Sequence, residues 1–295
     1  MRGEIRMSDA VTGTIDRWTN AAGETFRRIC WAAPEGADTL VVFVHGLGEH
    51  AGRYDRYVAH LLPLGAHIWG YDHRGHGESD GKRGDAEGLD QLAADLVEIT
   101  AALRAETGSS KVVFVGHSMG SAVLGWQLTQ REAPEGTVAV VMHAPPLKVS
   151  KTPMMHVKIG AGRLLNKIVP SLLMSNELDP RHISSVPEEV QRYLDDPLVH
   201  DRLSVRLGLG IIRGGEAILS GAARFAVPLL LVQGVEDGIA SVSGSREFLA
   251  GVGSADKRMI ELPGLRHETH HEAPDRVREL LGDVKQWIAE RIGDE

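Results

Sequence analysis

The sequence contains few of the features that cross-link a protein, insert it into a membrane or attract nucleic acid. Cys30 is the single cysteine among 295 residues, which excludes an intrachain disulfide and a cysteine-rich metal cluster and predicts a reducing, cytoplasmic location. No apolar run approaches the roughly 18 residues that span a bilayer, and residues 1–10 lack the apolar stretch of a secretory signal. The net charge of −8 predicts no nucleic-acid partner.

What the sequence does contain is an alternation of short apolar stretches with amphipathic segments. Glycine is frequent, at 34 of 295 residues, which is typical of chains with many tight strand-to-helix turns. Leu92, Leu96, Ile99 and Leu103 repeat at helical spacing, and a second apolar stripe occupies residues 277–292. Stretches that predict strands lie at residues 11–18, 25–31, 40–44, 66–71, 111–115, 138–142, 228–232 and 257–262. The pattern predicts an α/β fold, with a mostly parallel central sheet and helices on both faces.

The alternation stops between residues 145 and 227, where a mostly helical stretch replaces it. We predict an inserted helical cap there, between a first part of the core at residues 1–144 and a second part at residues 228–295. The apolar side chains of this stretch favour either core packing or a tunnel for an acyl chain. Its basic residues form either a solvated face or a surface for transient docking on anionic lipid. These are Lys148, Lys151, Lys158, Arg163 and Lys167.

The strongest local signal is GHSMG at residues 116–120, a GxSxG motif that follows a predicted strand and precedes a helical stretch. A serine at a sharp strand-to-helix turn has a strained backbone, and the flanking glycines are needed because a Cβ atom there would collide with neighbouring backbone. Its hydroxyl stands above the sheet at a helix N-terminus, which favours developing negative charge. Ser118 is therefore the predicted nucleophile, and an ordinary glycine-rich turn is the alternative.

A serine hydroxyl needs a base, and the base needs a carboxylate that orients it. Asp237 and His267 each follow a predicted strand, so both lie where loops leave the sheet. The order serine, aspartate, histidine is that of the α/β-hydrolases. We therefore predict a triad of Ser118, Asp237 and His267. The neighbouring alternatives are Glu236, His270 and His271.

Charge that develops on a substrate carbonyl oxygen needs two backbone N–H donors. One is expected from Met119, next to the nucleophile. The other is expected from the turn at residues 45–48 that ends a predicted strand, with Leu47 as the donor. Taken alone, this turn would also suit a plain glycine-rich loop. Glu49 and His50 follow the turn and are candidates for substrate binding through a polar head group.

Six motifs together resemble the monoacylglycerol lipase and lysophospholipase family of α/β-hydrolases, from about residue 40 to residue 290. They are HGLGEHAGRY (45–54), YDHRGHGESDGKRG (71–84), GHSMG (116–120), DPLVH (196–200), GVEDGIASVSGS (234–245) and HETHHE (267–272). The resemblance implies a helical cap over the site, a fatty-acyl glycerol ester or related lipid as substrate, and no cofactor. By position it implies the triad and oxyanion roles given above. The chain departs from the family at Gln233, where His is more frequent, and at Val186, where an acidic residue is common.

A competing motif is HETHH at residues 267–271, which matches the HExxH pattern of zinc proteases. Two zinc ligands at that spacing need a continuous helix. Pro263 and Gly264 lie just before the motif and Pro274 lies just after it, so no helix is expected through it. The sequence therefore predicts no metal site here.

The predicted activity is hydrolysis of monoacylglycerols to glycerol and fatty acid through an acyl-enzyme. The alternative among enzymes is a lysophospholipase or a general carboxylesterase of the same family, including one that cleaves aromatic esters. The alternative outside enzymes is a binding protein that retains the triad and turns over slowly. A small lipid ester is the expected ligand in each of the lipolytic cases.

Overall fold

A computed structural model describes residues 11–148 and 153–293 of the chain, without the side chains of residues 153–158. The strands in these ranges are β1 (Thr14–Thr19), β2 (Thr25–Ala32), β3 (Thr39–Val44), β4 (His67–Tyr71), β5 (Lys111–His117), β6 (Thr137–His143), β7 (Leu173–Ser175), β8 (Arg202–Ser204), β9 (Leu229–Gly234) and β10 (Lys257–Leu262). The α-helices are α1 (Asp55–Leu61), α2 (Leu89–Thr107), α3 (Met119–Gln130), α4 (Pro153–Ile168), α5 (Pro187–Asp195), α6 (Val205–Ser220), α7 (Val242–Gly251) and α8 (Pro274–Ile292).

One sheet of eight strands forms the centre of the molecule, in the order β1-β2-β4-β3-β5-β6-β9-β10. The pairs from β4 to β10 are parallel, whereas β1 and β2 run antiparallel to their neighbours. Helices α2, α3 and α6 pack on one face of the sheet, and α1 and α8 pack on the other. The central strands are continuous apolar runs because both of their faces are covered. The predicted α/β-hydrolase arrangement is thus confirmed.

The apolar stretches of the sequence all occur as strands of this sheet, with ends that differ from the predicted ones by a few residues. Helix α7 was not predicted, because its first turn contains Gly244 between two serines, and these residue types have low helix propensity. The helix is stabilised by tertiary packing instead: Phe248 contacts Phe225 edge to face, with ring centroids 5.6 Å apart.

Residues 145–227, which we call the cap segment, join β6 to β9, two strands that are neighbours in the sheet. The segment contains α4, α5 and α6 and a small antiparallel pair of β7 with β8. Helix α6 packs closely against the core helix α3 at Gly125. A Cβ atom added to this glycine would lie only 3.2 Å from the side chain of Ile218. No helix among the described residues is both long and apolar enough to cross a membrane.

Candidate active site

The residues predicted for catalysis lie at one edge of the sheet. Strands β3, β5, β9 and β10 are parallel, so the loops that leave their carboxyl ends lie at the same edge. These four loops carry Leu47, Ser118, Asp237 and His267, which are far apart in the sequence. The carboxyl edge of an open parallel sheet is where α/β proteins place their ligands.

Ser118 occupies the sharp turn between β5 and α3. Its backbone angles are φ 49° and ψ −117°, and a positive φ is uncommon for any residue except glycine. The turn has room only for the glycines around it. A Cβ atom on Gly120 would lie 1.9 Å from the carbonyl oxygen of Val44, and one on Gly116 would lie 2.9 Å from the backbone nitrogen of Ser121. The motif therefore fixes the serine at the N-terminus of α3, as its sequence predicts.

His267 and Asp237 form a buried pair beside this turn. The imidazole Nδ1–H donates to Oδ2 of Asp237 over 2.8 Å, and the carboxylate is completely shielded from solvent. The other oxygen of Asp237 accepts the backbone N–H groups of Ile239 and Ala240, at 2.8 Å and 2.9 Å. Burial alone would raise the pKa of Asp237, but the neighbouring His267 and these donors together hold that pKa below its ordinary value. Asp237 is therefore suited to remain an anion that orients the imidazole.

The alternative residues weighed from the sequence have other partners. Oε2 of Glu236 accepts the backbone N–H of Gly264. His271 bonds to the carboxylate of Glu268 over 2.7 Å. The buried ring of His270 stacks on Tyr54, with centroids 5.3 Å apart. The carboxylate that faces His267 is thus that of Asp237.

The turn after β3 lies directly against Ser118. A Cβ atom on Gly46 would be 3.2 Å from the Cβ of Ser118, so the two backbones are in close approach. The backbone N–H of Gly46 donates to Oε1 of Glu49 over 2.6 Å, which holds the turn closed. In the described part of the chain, the N–H groups of Leu47 and Met119 donate no hydrogen bond, and both residues line a cavity with Ser118. Their position fits two donors for a substrate oxygen.

Ser118 and His267 line the same cavity, but no direct hydrogen bond joins them among the described contacts. Catalytic hydrogen bonds are often long in the free enzyme and shorten when substrate binds. The structure therefore places the two residues together at one site without a preformed hydrogen bond between them.

The cavity above Ser118 has a volume of about 530 Å³ and a mainly apolar lining. The core contributes the predicted catalytic residues at its floor, and the cap segment contributes most of the apolar wall. The apolar side chains from the cap include Ile159, Leu165, Met174, Leu203, Leu209 and Ile212. Glu49, Tyr193, Asn176 and Glu268 also line the cavity and add polar groups. Such a chamber suits a ligand with a long apolar part and one polar end.

A buried network of charged side chains lies beneath the cavity and was not predicted from the sequence. Arg53 bonds to both oxygens of Glu268 over 2.7 Å and to Oε2 of Glu49 over 2.7 Å. The remaining oxygen of Glu49 accepts Nδ1–H of His117 over 2.9 Å, next to the predicted nucleophile. Only the spacing of four residues between Glu49 and Arg53 hints at this network in the sequence.

The network sets the charge of its members. Burial would raise the pKa of Glu49, but His117 and Arg53 hold it far below its ordinary value. Burial would likewise lower the pKa of His117, yet the hydrogen bond to Glu49 raises it overall. The pKa of Glu268 also lies well below its ordinary value, since burial is outweighed by Arg53 and His271. The buried groups are therefore mutually compensated charges, as burial requires.

The two residues proposed for head-group contact have partners of their own. Glu49 lines the cavity, but besides Gly46, His117 and Arg53 it also accepts the hydroxyl of Tyr54 over 2.9 Å. His50 bonds through Nε2 to Asp196 of the cap segment over 2.9 Å. Substrate contact by Glu49 and His50 stays a prediction.

The HExxH segment lies in the loop between β10 and α8, and none of residues 263–273, all of them described, is helical. His267 faces Asp237, whereas His271 bonds to Glu268 and to the carbonyl oxygen of Arg53. The two histidines therefore do not share the helix face that the zinc motif requires.

Comparison with known proteins places these features in a family. The family model described as serine aminopeptidase, S33 matches residues 35–274 of the chain. The monoglyceride lipase of Rattus norvegicus is 28% identical over 92% of this chain and 89% of that protein. An uncharacterized abhydrolase domain-containing protein of Dictyostelium discoideum is 31% identical over 96% of this chain, which corresponds to 30% of that protein. The crystal structure of Paleococcus ferrophilus monoacylglycerol lipase is similar with a TM-score of 0.80 at 33% identity, and it covers 90% of this chain and 99% of that one.

Proposed function

The chain belongs to the serine aminopeptidase S33 family of α/β-hydrolases and is an ester-hydrolysing enzyme similar to monoacylglycerol lipases, and on that premise we propose that it cleaves monoacylglycerols to glycerol and a fatty acid. The observation that carries the proposal is the apolar cavity that ends at Ser118 and at the His267–Asp237 pair. A lipid substrate gains about 0.8 kcal/mol for each CH₂ group that it buries. The acyl chain is therefore expected to lie along the wall from the cap segment, with the ester at Ser118.

The proposed mechanism uses the triad in two half-reactions. His267 accepts the hydroxyl proton of Ser118 through Nε2 while the serine oxygen attacks the ester carbonyl. Asp237 fixes the tautomer by accepting the Nδ1 proton and stabilises the imidazolium that forms. The imidazolium then protonates the departing glycerol oxygen. In the second half-reaction His267 takes a proton from water while the water oxygen attacks the acyl carbonyl, and the imidazolium then returns that proton to the Ser118 oxygen as the fatty acid leaves.

Leu47 and Met119 have the proposed role of stabilising the oxyanion in both half-reactions. Their N–H groups lie at the cavity floor without partners among the described residues. Removal of one such donor typically costs about 3 kcal/mol of transition-state stabilisation. Met119 is also the first residue of α3, so the positive end of the helix dipole points at the same oxygen.

We also propose transient contact of the cap segment with anionic lipid surfaces. On α4 the exposed Arg163 and Lys167 alternate with Leu164 and Ile168, whose exposed fractions are 63% and 71%. Apolar and basic side chains on one helix suit the interface of an anionic membrane. Lys148 has a partner in Glu247, which weakens its contribution. Lys151 and the side chain of Lys158 lie outside the described residues.

Vesicle co-sedimentation tests this contact. The protein should pellet with vesicles of phosphatidylglycerol, less so with phosphatidylcholine, and binding should fall as salt rises. The variant Arg163→Ala/Lys167→Ala should bind less. Equal binding to both lipids at all salt concentrations would overturn the proposal.

The substrate is tested by comparing three ester classes: a long-chain monoacylglycerol, the matching lysophospholipid and a short-chain p-nitrophenyl ester. The monoacylglycerol should have the highest kcat/KM, and Ser118→Ala should lower kcat by about four orders of magnitude or more. The exposed Ser243, on α7, supplies a matched control in Ser243→Ala, which should keep wild-type rates. Preference for the lysophospholipid or the short ester would assign one of the other esterase activities instead. The cytoplasmic location stays a prediction.

A further inference from the structure

We propose that Gln233 is a positioning residue for the carboxylate of Asp237, locked in its working orientation by Ser245; the inference rests on the triad proposed above. Gln233 lies in β9, four residues before Asp237, and its side chain is completely buried. This position is where the chain departs from the family pattern, and the departure places an amide against the carboxylate that orients His267.

The amide nitrogen of Gln233 makes the contact. Nε2 donates to Oδ2 of Asp237 over 2.8 Å, the same oxygen that accepts Nδ1–H of His267 over 2.8 Å. Its second hydrogen faces the carbonyl oxygen of Ala240 at 3.2 Å. Since Asp237 also accepts two backbone N–H groups through Oδ1, the four lone-pair sites of the carboxylate have four donors.

The orientation of the amide follows from its neighbours. Oδ2 of Asp237 and the carbonyl of Ala240 are both acceptors, so only the NH₂ end of Gln233 can face them. At the other end, Oε1 accepts the hydroxyl of Ser245 over 2.8 Å, and Ser245 is also completely buried. A flipped amide would set oxygen against the carboxylate and bury two unpaired acceptors. Ser245 thus acts on Asp237 through Gln233.

The hydrogen bond has an electrical consequence as well as a geometric one. A neutral donor on Oδ2 draws off part of the negative charge that would otherwise act on His267 alone. Without it, the carboxylate presents more negative charge to the imidazole and stabilises the positively charged form of the base more strongly. Without it, Oδ2 also loses one of the two contacts that set its direction, so the imidazole is aimed less well at Ser118. Gln233 therefore tunes the base without touching substrate.

The experiment compares Gln233→Met, Ser245→Ala and the double variant with wild type, using a short-chain p-nitrophenyl ester between pH 5 and pH 9. Methionine keeps the length of glutamine and removes its polar atoms. Gln233→Met should lower kcat about tenfold with little change in KM, and it should move the acid limb of the pH–rate profile up by about half a pH unit. Ser245→Ala should give a smaller change in the same direction.

The double variant separates a positioning role from a packing role. Because Ser245 acts only through the amide, Ser245→Ala should change neither kcat nor the pH profile further once Gln233→Met is present. Ser243→Ala, on the same helix, should match wild type. Thermal unfolding checks that each variant is folded at the assay temperature.

The outcomes are distinguishable. If Gln233→Met lowers the unfolding temperature but leaves the acid limb in place, or if the two substitutions are additive, the residue is structural and the inference is wrong. If Ser118→Ala and Asp237→Asn abolish turnover while Gln233→Met does not alter it, the inference fails and the proposed function stands. If Ser118→Ala retains wild-type turnover, the proposed function itself fails.

Discussion

Arg53 and Glu268 form a two-pronged ion pair beneath the cavity, with both N–O distances at 2.7 Å and less than a tenth of either side chain exposed. The two residues are 215 positions apart in the sequence. The pair therefore joins the segment after β3 to the loop that carries His267, and both regions line the cavity with Ser118. Burial would lower the pKa of Arg53, but the carboxylates of Glu268 and Glu49 hold that pKa above its usual range.

Replacement of Arg53 should be strongly destabilising. Arg53→Met removes the one positive charge that the buried carboxylates of Glu49 and Glu268 share, and the expected loss of unfolding free energy is about 3–5 kcal/mol. Urea unfolding measures it. Arg181 is 84% exposed in its pair with Asp179, so Arg181→Ala should unfold at the wild-type urea concentration. Equal midpoints for the two variants would contradict the compensating role of Arg53.

The turn after β3 should tolerate no side chain at Gly46. A Cβ atom there would lie 2.7 Å from Oε1 of Glu49 and 3.2 Å from the Cβ of Ser118, so Gly46→Ala must displace either the turn that carries Leu47 or the Glu49 carboxylate that holds this turn closed. We expect kcat to fall by about 100-fold, as for the loss of one oxyanion donor. Gly282, in α8, has open space around it, and Gly282→Ala should stabilise the helix by up to about 1 kcal/mol with unchanged kcat. A wild-type kcat for Gly46→Ala would refute the assignment of this turn.

Two glycines of α4 offer a test of the acyl tunnel. Gly162 lines the cavity, and a Cβ atom there would lie 3.6 Å from the side chain of Leu209, whereas Gly160 is exposed with open space around it. Gly162→Phe should fill part of the chamber, raise KM for long-chain monoacylglycerols and leave a short-chain ester unaffected. Gly160→Phe should leave both substrates unaffected. The measurement is kcat/KM across a series of acyl lengths, and a uniform loss at every length would argue against a tunnel.

Stability should decrease as pH falls from 7 towards 5. Burial lowers the pKa of several imidazoles, and that of His143 falls to about 3 from an ordinary value of 6.5. As pH drops below 6.5, the unfolded chain takes up protons that the folded chain does not, so unfolding becomes easier by up to about 1.4 kcal/mol per pH unit for each such group. The others with a strongly lowered pKa are His45, His73, His76 and His270. His117, whose pKa is raised, contributes in the opposite direction.

The variant His143→Gln isolates one of these contributions. Glutamine can still bond to the hydroxyl of Tyr57, which His143 contacts through Nε2 over 2.9 Å, but it has no titratable proton. Urea unfolding at pH 5, 6 and 7 should therefore show a shallower dependence of unfolding free energy on pH than in the wild type. Parallel curves for the two proteins would mean that His143 is not kept neutral by folding.

The sheet and the position of the site could be predicted from the sequence because their signals are local. A strand covered on both faces is a continuous apolar run, and GHSMG marks its own turn, since only glycine fits at Gly116 and Gly120. The local sequence did not decide between Asp237 and Glu236. The two acidic residues are adjacent, and only the conformation of the loop determines which carboxylate faces His267.

The ion pairs beneath the cavity and the amide of Gln233 had no comparable local signal. Glu268 lies within the HExxH segment, and nothing in that segment indicates that Arg53 is its partner. Strands β7 and β8 have three residues each, which is too few to show the alternation of apolar and polar residues that predicts a strand. Most of these contacts join distant segments, and such contacts are set by the assembled fold rather than by neighbours in the chain.

The cap segment leaves β6 at the carboxyl edge of the sheet and returns to the opposite end of the adjacent parallel strand β9, and its last helix, α6, packs against the core on the way. Strands β6 and β9 are hydrogen-bonded directly to each other, so the sheet is continuous without any contribution from the cap segment. We expect that the part of the segment before α6 can be exchanged for one of another shape while the strands that precede Ser118, Asp237 and His267 keep their positions. The replacement segment must retain two hydrogen bonds to the turn after β3. One joins Asp196 to His50, and in the other the backbone N–H of His200 donates to the carbonyl oxygen of Gly48. On the proposed function, we therefore expect that exchange of this part changes the preference for acyl-chain length and leaves the catalytic residues in place.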